Sequence, residues 1–159
     1  MKSRHSYLET KSKLLVAFYD SFREGLISNY LMDKSAVKAG QFSSLPEFCL
    51  IDVGTKKFDT IQDVVLLQDF NLSVVMDVYE ITETFLEELN EYYGYFHNGY
   101  DLNRHNRTKI QTPYGEAYLY VNNQVIKEGK IIPSGDLVDY LDYAEAGIIP
   151  THKFKELQK

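Results

Sequence analysis

Tryptophan is absent from this chain, cysteine occurs once, and proline four times in 159 residues. Without Trp, the large rings of the core must come from 13 tyrosines and nine phenylalanines, and each Tyr hydroxyl buried among them needs a hydrogen-bond partner. A polar cavity lined by some of these tyrosines is expected. The single Cys49 excludes an intrachain disulfide and any metal cluster built from cysteine, and it fits a reducing compartment. Its expected place is the apolar interior. The histidines, His5, His97, His105 and His152, are too scattered to give a metal-ligand spacing.

The formal charge of −6 is not gathered into an acidic block, and no basic stripe offsets it. Long contact with nucleic-acid phosphates is thereby disfavoured, and the charge favours solubility instead. Nowhere do ~18 apolar residues run together, so no membrane-spanning helix is expected. Residues 1–13 are polar and charged and lack the apolar stretch of a signal peptide, which points to a cytoplasmic protein. The length suits one domain with a real core. No repeat, low-complexity tract or Pro-rich linker divides it. We read 1–13 as a polar lead, 14–141 as the domain and 142–159 as a polar, partly frayed tail.

Leu14-Leu15-Val16-Ala17-Phe18-Tyr19 is a short continuous apolar run, which predicts a buried central strand. It stops at Asp20. Ser21 and Glu24 then have capping-box spacing, with Leu26, Ile27, Tyr30 and Leu31 at helical intervals behind them, so a strand, a tight loop and a helix N-terminus are expected in that order. Further strands are predicted over 48–51, 64–67, 72–79, 108–111 and 117–121, separated by turn-prone stretches such as Gly54-Thr55-Lys56-Lys57 and Pro113-Tyr114-Gly115. Thr82 is placed to cap a helix on which Phe85, Leu86, Leu89, Tyr92 and Tyr93 form one stripe, with Glu83, Glu87, Glu88 and Glu91 mostly outside. Strands outnumber helices, and the class is α+β.

Four stretches together resemble the AIG2-like γ-glutamylcyclotransferase family, and the bacterial YtfP-like branch most of all. Phe18-Tyr19-Asp20-Ser21-Phe22-Arg23-Glu24-Gly25 is similar to its strand-to-helix signature loop. Val78-Tyr79-Glu80-Ile81, with Leu86, Leu89 and Asn90, resembles its Val-Tyr strand and the following helix. Gln111-Thr112-Pro113-Tyr114-Gly115 and Ile132-Pro133-Ser134-Gly135-Asp136 follow in the right order, and Ala36, Gly40, Phe42 and Gly54 also match in residue type. The resemblance spans about 14–141 and implies a small β-barrel, mixed and antiparallel, with flanking helices.

It also implies a chemistry. In the family the loop after the first strand holds the α-carboxylate of a γ-glutamyl group with backbone N–H donors. A glutamate takes a proton from the substrate's α-amine, which attacks the side-chain carbonyl, closes 5-oxoproline and expels an amine, without metal or cofactor. An ungapped count from Val78-Tyr79 places Tyr93 where that glutamate stands. A phenol, with a reference pKa of ~10, is a poor base and a good hydrogen-bond donor. Glu91 lies about 200° around the helix from Tyr93 and is expected to face away. Asp20 stands where the family has Gly, and a carboxylate there would repel the family's anionic substrate. It either caps the next helix or retunes the site toward a cationic or neutral ligand.

The remaining candidates follow from the same comparison. Asp77, on the strand before Tyr79, and Glu116 join Asp20 as carboxylates that could serve as a relocated acid or base. Tyr19, Asp20, Ser21, Phe22 and Tyr93 are the expected ligand-binding residues. Tyr100 and Arg107 are candidates for the family's Tyr-x-Arg, which has no clean match across an apparent insertion between Gly94 and His105. Arg104, His105, Arg107 and Lys109 could collect an anion, but a charged loop or strand edge is the commoner explanation. Lys56 and Lys57 read as solvated turn residues. Alternation suits Tyr114, Tyr118 and Tyr120 to one sheet face. No Ser-His-Asp set or P-loop is visible.

Three functions remain open on these grounds. One is a γ-glutamylcyclotransferase-like protein that binds a small molecule without the standard cyclisation. A second is a divergent γ-glutamyl or γ-glutamylamine cyclotransferase with a relocated acid or base. The third is a protein that works through a protein partner, its pocket filled by side chains such as Tyr93. An open pocket would favour the first over the third.

Overall fold

The computed structural model describes residues 14–55 and 62–145. Its strands are β1 (Leu14–Phe18), β2 (Val37–Ser43), β3 (Phe48–Thr55), β4 (Gln62–Gln68), β5 (Val75–Ile81), β6 (His105–Thr112), β7 (Gly115–Asn122) and β8 (Lys130–Ile131). Two α-helices, α1 (Glu83–Tyr93) and α2 (Leu137–Glu145), complete the α+β arrangement. The strands form a five-stranded sheet in the order β2-β5-β1-β7-β6 and a three-stranded sheet in the order β4-β3-β8. Only the β1–β7 pairing is parallel; the others are antiparallel.

β1 lies at the centre of the larger sheet, as its unbroken apolar run predicts. Leu15, Ala17 and Tyr19 point into a core shared with Leu50, Leu66 and Leu119. Val16 and Phe18 point the other way, into a second core with Phe85, Leu89 and Tyr93 of α1. The result is three layers, small sheet, large sheet and helix, each burying the apolar face of its neighbour. Cys49 is buried in a third, smaller cluster under β3.

α1 begins as its sequence signals. The Thr82 Oγ1 accepts the Phe85 N–H at 3.1 Å, satisfying one of the open donors of the first turn. It ends because Gly94 takes a left-handed conformation (φ 68°) and its N–H bonds back to Asn90 and Glu91. That stop fixes Tyr93 as the last helical residue and returns Tyr95 to the core.

Two expectations are corrected. The segment after β1 is not an α-helix: it is a run of turns followed by a five-residue 3₁₀ helix, Ile27–Leu31. The Ser21–Glu24 capping box does not form, because the Asp20 carboxylate takes the Phe22 N–H and the Asp77 carboxylate takes the Glu24 N–H. Ile27, Tyr30 and Leu31 stay exposed. The second correction is β2, an edge strand with a bulge between Lys38 and Gly40 that the pattern reading missed. At the other end, helix α2 continues past 141, where the polar tail was placed, to Glu145.

The Ile132-Pro133-Ser134-Gly135-Asp136 stretch has a clear structural reason. Gly135 has φ 65°, and a Cβ there would lie 2.0 Å from the Ser73 carbonyl oxygen and 2.9 Å from Val74 Cα. Its own carbonyl accepts the Val75 N–H at 2.8 Å, tying the start of α2 to the start of β5. Backbone blocks the added methyl on both counts. Gly135→Ala is expected to cost about 2–4 kcal/mol of unfolding free energy, the sum of a left-handed strain and an overpacking penalty. Urea denaturation measures it, and a change within 0.5 kcal/mol would contradict the geometry.

Candidate functional site

Asp20 leaves the end of β1 at the mouth of a cavity of about 540 Å³. One wall is aromatic and polar, formed by Asp20, Ser21, Tyr92, Tyr93 and His105; a second comes from β4, with Asp63, Val64 and Val65; a third is the segment after β7, with Val125, Ile126 and Lys127. The cavity is open, not filled by Tyr93.

The Tyr93 hydroxyl donates to Asp20 Oδ2 at 2.5 Å. Its ring is stacked on Tyr120 at 4.2 Å and 13°, with His105 against it edge-on at 5.1 Å. The ring is only 4% exposed. Burial, and then the nearby Asp20 charge, push the Tyr93 pKa well above that of a free phenol. Tyr93 therefore keeps its proton and donates it in a hydrogen bond. Glu91 is exposed, as its position on the helix predicts.

Asp20 accepts two hydrogen bonds from described residues, from Tyr93 at Oδ2 and from the Phe22 N–H at Oδ1 (3.1 Å). Loss of water around the carboxyl pushes its pKa from 3.8 up to about 6, against the lowering effect of those two bonds, and Asp63 adds to the rise. No Lys or Arg among the described residues forms an ion pair with Asp20 or Asp63. Three donors of the loop are already engaged within the protein. Phe22 N–H goes to Asp20 Oδ1, Arg23 N–H to the Asp20 carbonyl, and Glu24 N–H to Asp77 Oδ2.

His105 Nδ1 lies 2.9 Å from the Tyr93 carbonyl oxygen. A carbonyl only accepts, so Nδ1 carries the proton and the neutral ring keeps Nε2 as its acceptor. Burial lowers its pKa below the usual 6.5. Ser21 and Ser28 share a 2.5 Å hydroxyl contact at the cavity wall.

The other sequence candidates sit elsewhere. Tyr19 is buried and donates to the Tyr120 carbonyl at 2.7 Å, and Phe22 packs between Phe18, Tyr92 and Tyr93, behind the cavity wall. Arg107 is on the α1 side of the sheet, donating to Asn90 Oδ1 at 3.0 Å and lying over the Tyr95 and Tyr118 rings. Tyr100 packs on His97 and Phe96 in the loop before β6. Glu116 is exposed near the turn of the β6–β7 hairpin, paired with Lys109 at 3.5 Å, which also removes Lys109 from the cavity. Of the suggested anion collectors, Arg104 and His105 reach the wall, and the Arg104 Nη2 donates to the Tyr92 carbonyl at 2.6 Å. Lys56 and Lys57 lie outside the described residues.

Asp77 belongs to a buried ionic network. Its Oδ2 accepts the Glu24 N–H at 2.8 Å and faces Arg23 Nε at 3.5 Å; its Oδ1 accepts from Gln41 at 3.2 Å. Arg23, 1% exposed, also donates to Asp136 Oδ1 at 2.6 Å, and that same oxygen caps the first turn of α2. Sequence reading missed Asp63 and the segment after β7, which come to the cavity from distant stretches of the chain, and Tyr92, which reaches it beside Tyr93 at the end of α1.

No family model matches the chain, and no curated protein matches it. Among solved structures, protein YtfP from Escherichia coli is 28% identical with a TM-score of 0.58, over 80% of this chain and 98% of that one. An AIG2-like protein from Mus musculus is 18% identical with a TM-score of 0.54, over 72% of this chain and 80% of that one. Allophanate hydrolase from Kluyveromyces lactis aligns with 86% of this chain at a TM-score of 0.65 and 10% identity, through only 22% of its own length. The chain thus has the γ-glutamylcyclotransferase-like fold, two sheets with flanking helices. No helix among the described residues is long and apolar enough to cross a membrane.

Two predictions follow from the ionisable groups. Removing the Arg23 guanidinium leaves Asp77 buried with Lys38 Nζ, 3.8 Å away, as its remaining cation, so Arg23→Leu is expected to lose about 3 kcal/mol of stability in urea melts. Glu116→Gln, at an exposed pair, is expected to change it by less than about 0.5 kcal/mol. The Asp20 carboxyl holds its proton more tightly folded than unfolded, so its contribution to stability declines as pH rises from 3.8 to about 6 and is constant outside that interval. His105 acts in the opposite direction, costing stability as pH falls below 6.5. Asp20→Asn is expected to flatten the first part of the profile between pH 4 and 6; thermal melts that keep the wild-type slope there would contradict the assignment.

Proposed function

We propose that this protein binds a small molecule in the cavity between the β1 loop and α1, and that it does not carry out the standard 5-oxoproline-forming cyclisation. One observation carries the reading: the Asp20 carboxylate accepts both the Phe22 N–H and the Tyr93 hydroxyl. In the family that the sequence resembles, the loop amides hold the substrate's α-carboxylate and a helix glutamate is the base. Here a resident carboxylate takes a loop amide for itself, and the residue at the glutamate's position is a phenol that keeps its proton. Anion recognition and proton abstraction are both weakened by the same pair. The open cavity favours ligand binding over a purely partner-binding role.

Incubation with a γ-glutamyl amine and a γ-glutamyl amino acid, followed by measurement of released 5-oxoproline, tests this. No release above the buffer rate is expected. Release by wild type above that rate would overturn the proposal. A second reading, a divergent cyclotransferase using Asp20 as a relocated acid or base, is favoured by one specific feature: a carboxyl at the cavity wall whose pKa of about 6 lies near neutrality. It requires turnover in wild type that Asp20→Asn abolishes.

A further inference from the structure

We infer that the ligand of this cavity carries a primary ammonium group, which sits on the Asp20 carboxylate, while its alkyl portion lies against Val65 and Ile126. The inference rests on the small-molecule reading above and names its ligand class.

Among the described residues, no cation meets the charge of Asp20. A carboxylate has about four acceptor positions, and Tyr93 and Phe22 use one on each oxygen of Asp20, leaving one on each free to receive a ligand N–H. An ammonium supplies three donors and the opposite charge. Asp63 opens on the same cavity from β4, and neither carboxylate has an ion pair with a described Lys or Arg. The cationic side chains that do line the cavity are placed otherwise: Arg104 donates to the Tyr92 carbonyl, and Lys127 is exposed beside Glu128 at the rim. Tyr93 cannot relieve the charge, since it already donates its only proton. A carboxylate ligand would meet repulsion at this wall, and an alcohol would gain one neutral hydrogen bond where an ammonium gains a charge-assisted one. The valine and isoleucine side chains opposite offer burial for a short alkyl chain and nothing for a second charge.

The test uses three probes of nearly equal size, n-pentylamine as its ammonium, 1-pentanol and pentanoate, titrated at pH 7.5 into the whole protein while amide and side-chain NMR signals are followed. Pentylammonium is expected to shift signals of cavity residues and to bind at least about tenfold more tightly than pentanol, the ratio of a charge-assisted to a neutral hydrogen bond. Pentanoate is expected not to bind. In Asp20→Asn the preference for the amine should fall to within about twofold of the alcohol; in Tyr93→Phe, which keeps the carboxylate, the preference should persist. Equal binding of amine and alcohol, tighter binding of pentanoate, an amine preference that survives Asp20→Asn, or no shift at the cavity with any probe would each overturn the inference. Binding of pentanol as tight as that of the amine, or binding of pentanoate, in the cavity would reject the ammonium class and leave the small-molecule reading standing, whereas release of 5-oxoproline would reject that reading itself.

Discussion

β1 is covered on both faces, by the small sheet on one side and by α1 on the other, so no charged side chain fits along it until the chain leaves the sheet at Asp20. The constraint sets much of the remaining geometry. A strand buried on both sides must be central, which places β5 and β7 beside it and brings the ends of β1 and α1 together. Asp20 and Tyr93 are 73 positions apart in sequence and meet because each is the last residue before its chain segment leaves the packed layers. The cavity is what remains beside that meeting point, where β4 and the segment after β7 close around it.

The turns after β1 are held by a different interaction, the buried Arg23 with Asp77 and Asp136. A guanidinium withdrawn from water is tolerated only with close anionic partners, and here one comes from β5 and the other from the cap of α2. The network joins the β1 loop, a central strand and the final helix. It also explains why Asp77 is unsuited to chemistry: its oxygens are occupied by Glu24, Gln41 and Arg23, away from the cavity. Gly135 extends the same fixation, since its carbonyl pairs with Val75 where any side chain would strike backbone.

How far the sequence reveals this depends on the range of the forces involved. The apolar run of β1, the Thr82 cap and the inward place of Tyr93 are local signals, and each is legible because neighbouring residues decide it. The capping box at Ser21 and Glu24 is a local signal too, yet it fails, because the carboxylate of Asp77, 53 residues from Glu24, takes the Glu24 amide that Ser21 would have capped. β2 escapes notice since its inward positions are Lys38, Gly40 and Phe42, of which only Phe42 is a large apolar residue. Arg107 shows the converse: a cation expected at a ligand site is spent on Asn90 of α1 and two tyrosine rings beside it. Asp63 enters the cavity wall through the pairing of β4 with β3, and Ile126 through the loop between β7 and β8, neither of which a short window contains.

The Asp20–Tyr93 pair is asymmetric in a way that bears on any ligand. Asp20's charge raises the phenol's pKa, and the phenol's hydrogen bond opposes the desolvation that raises the acid's. The proton is therefore localised on the tyrosine, and the carboxyl, even at a pKa of about 6, is mostly ionised at neutral pH. Two neutral partners in hydrogen bonds spread that charge without cancelling it. Water can solvate it while the cavity is open, but a ligand that fills the space displaces the water and must replace what it gave. An apolar or anionic occupant would leave the carboxylate desolvated and unpaired, a cost of several kcal/mol. The charge and its two neutral partners thus already discriminate among ligands, before any specific contact to the rest of the molecule is made.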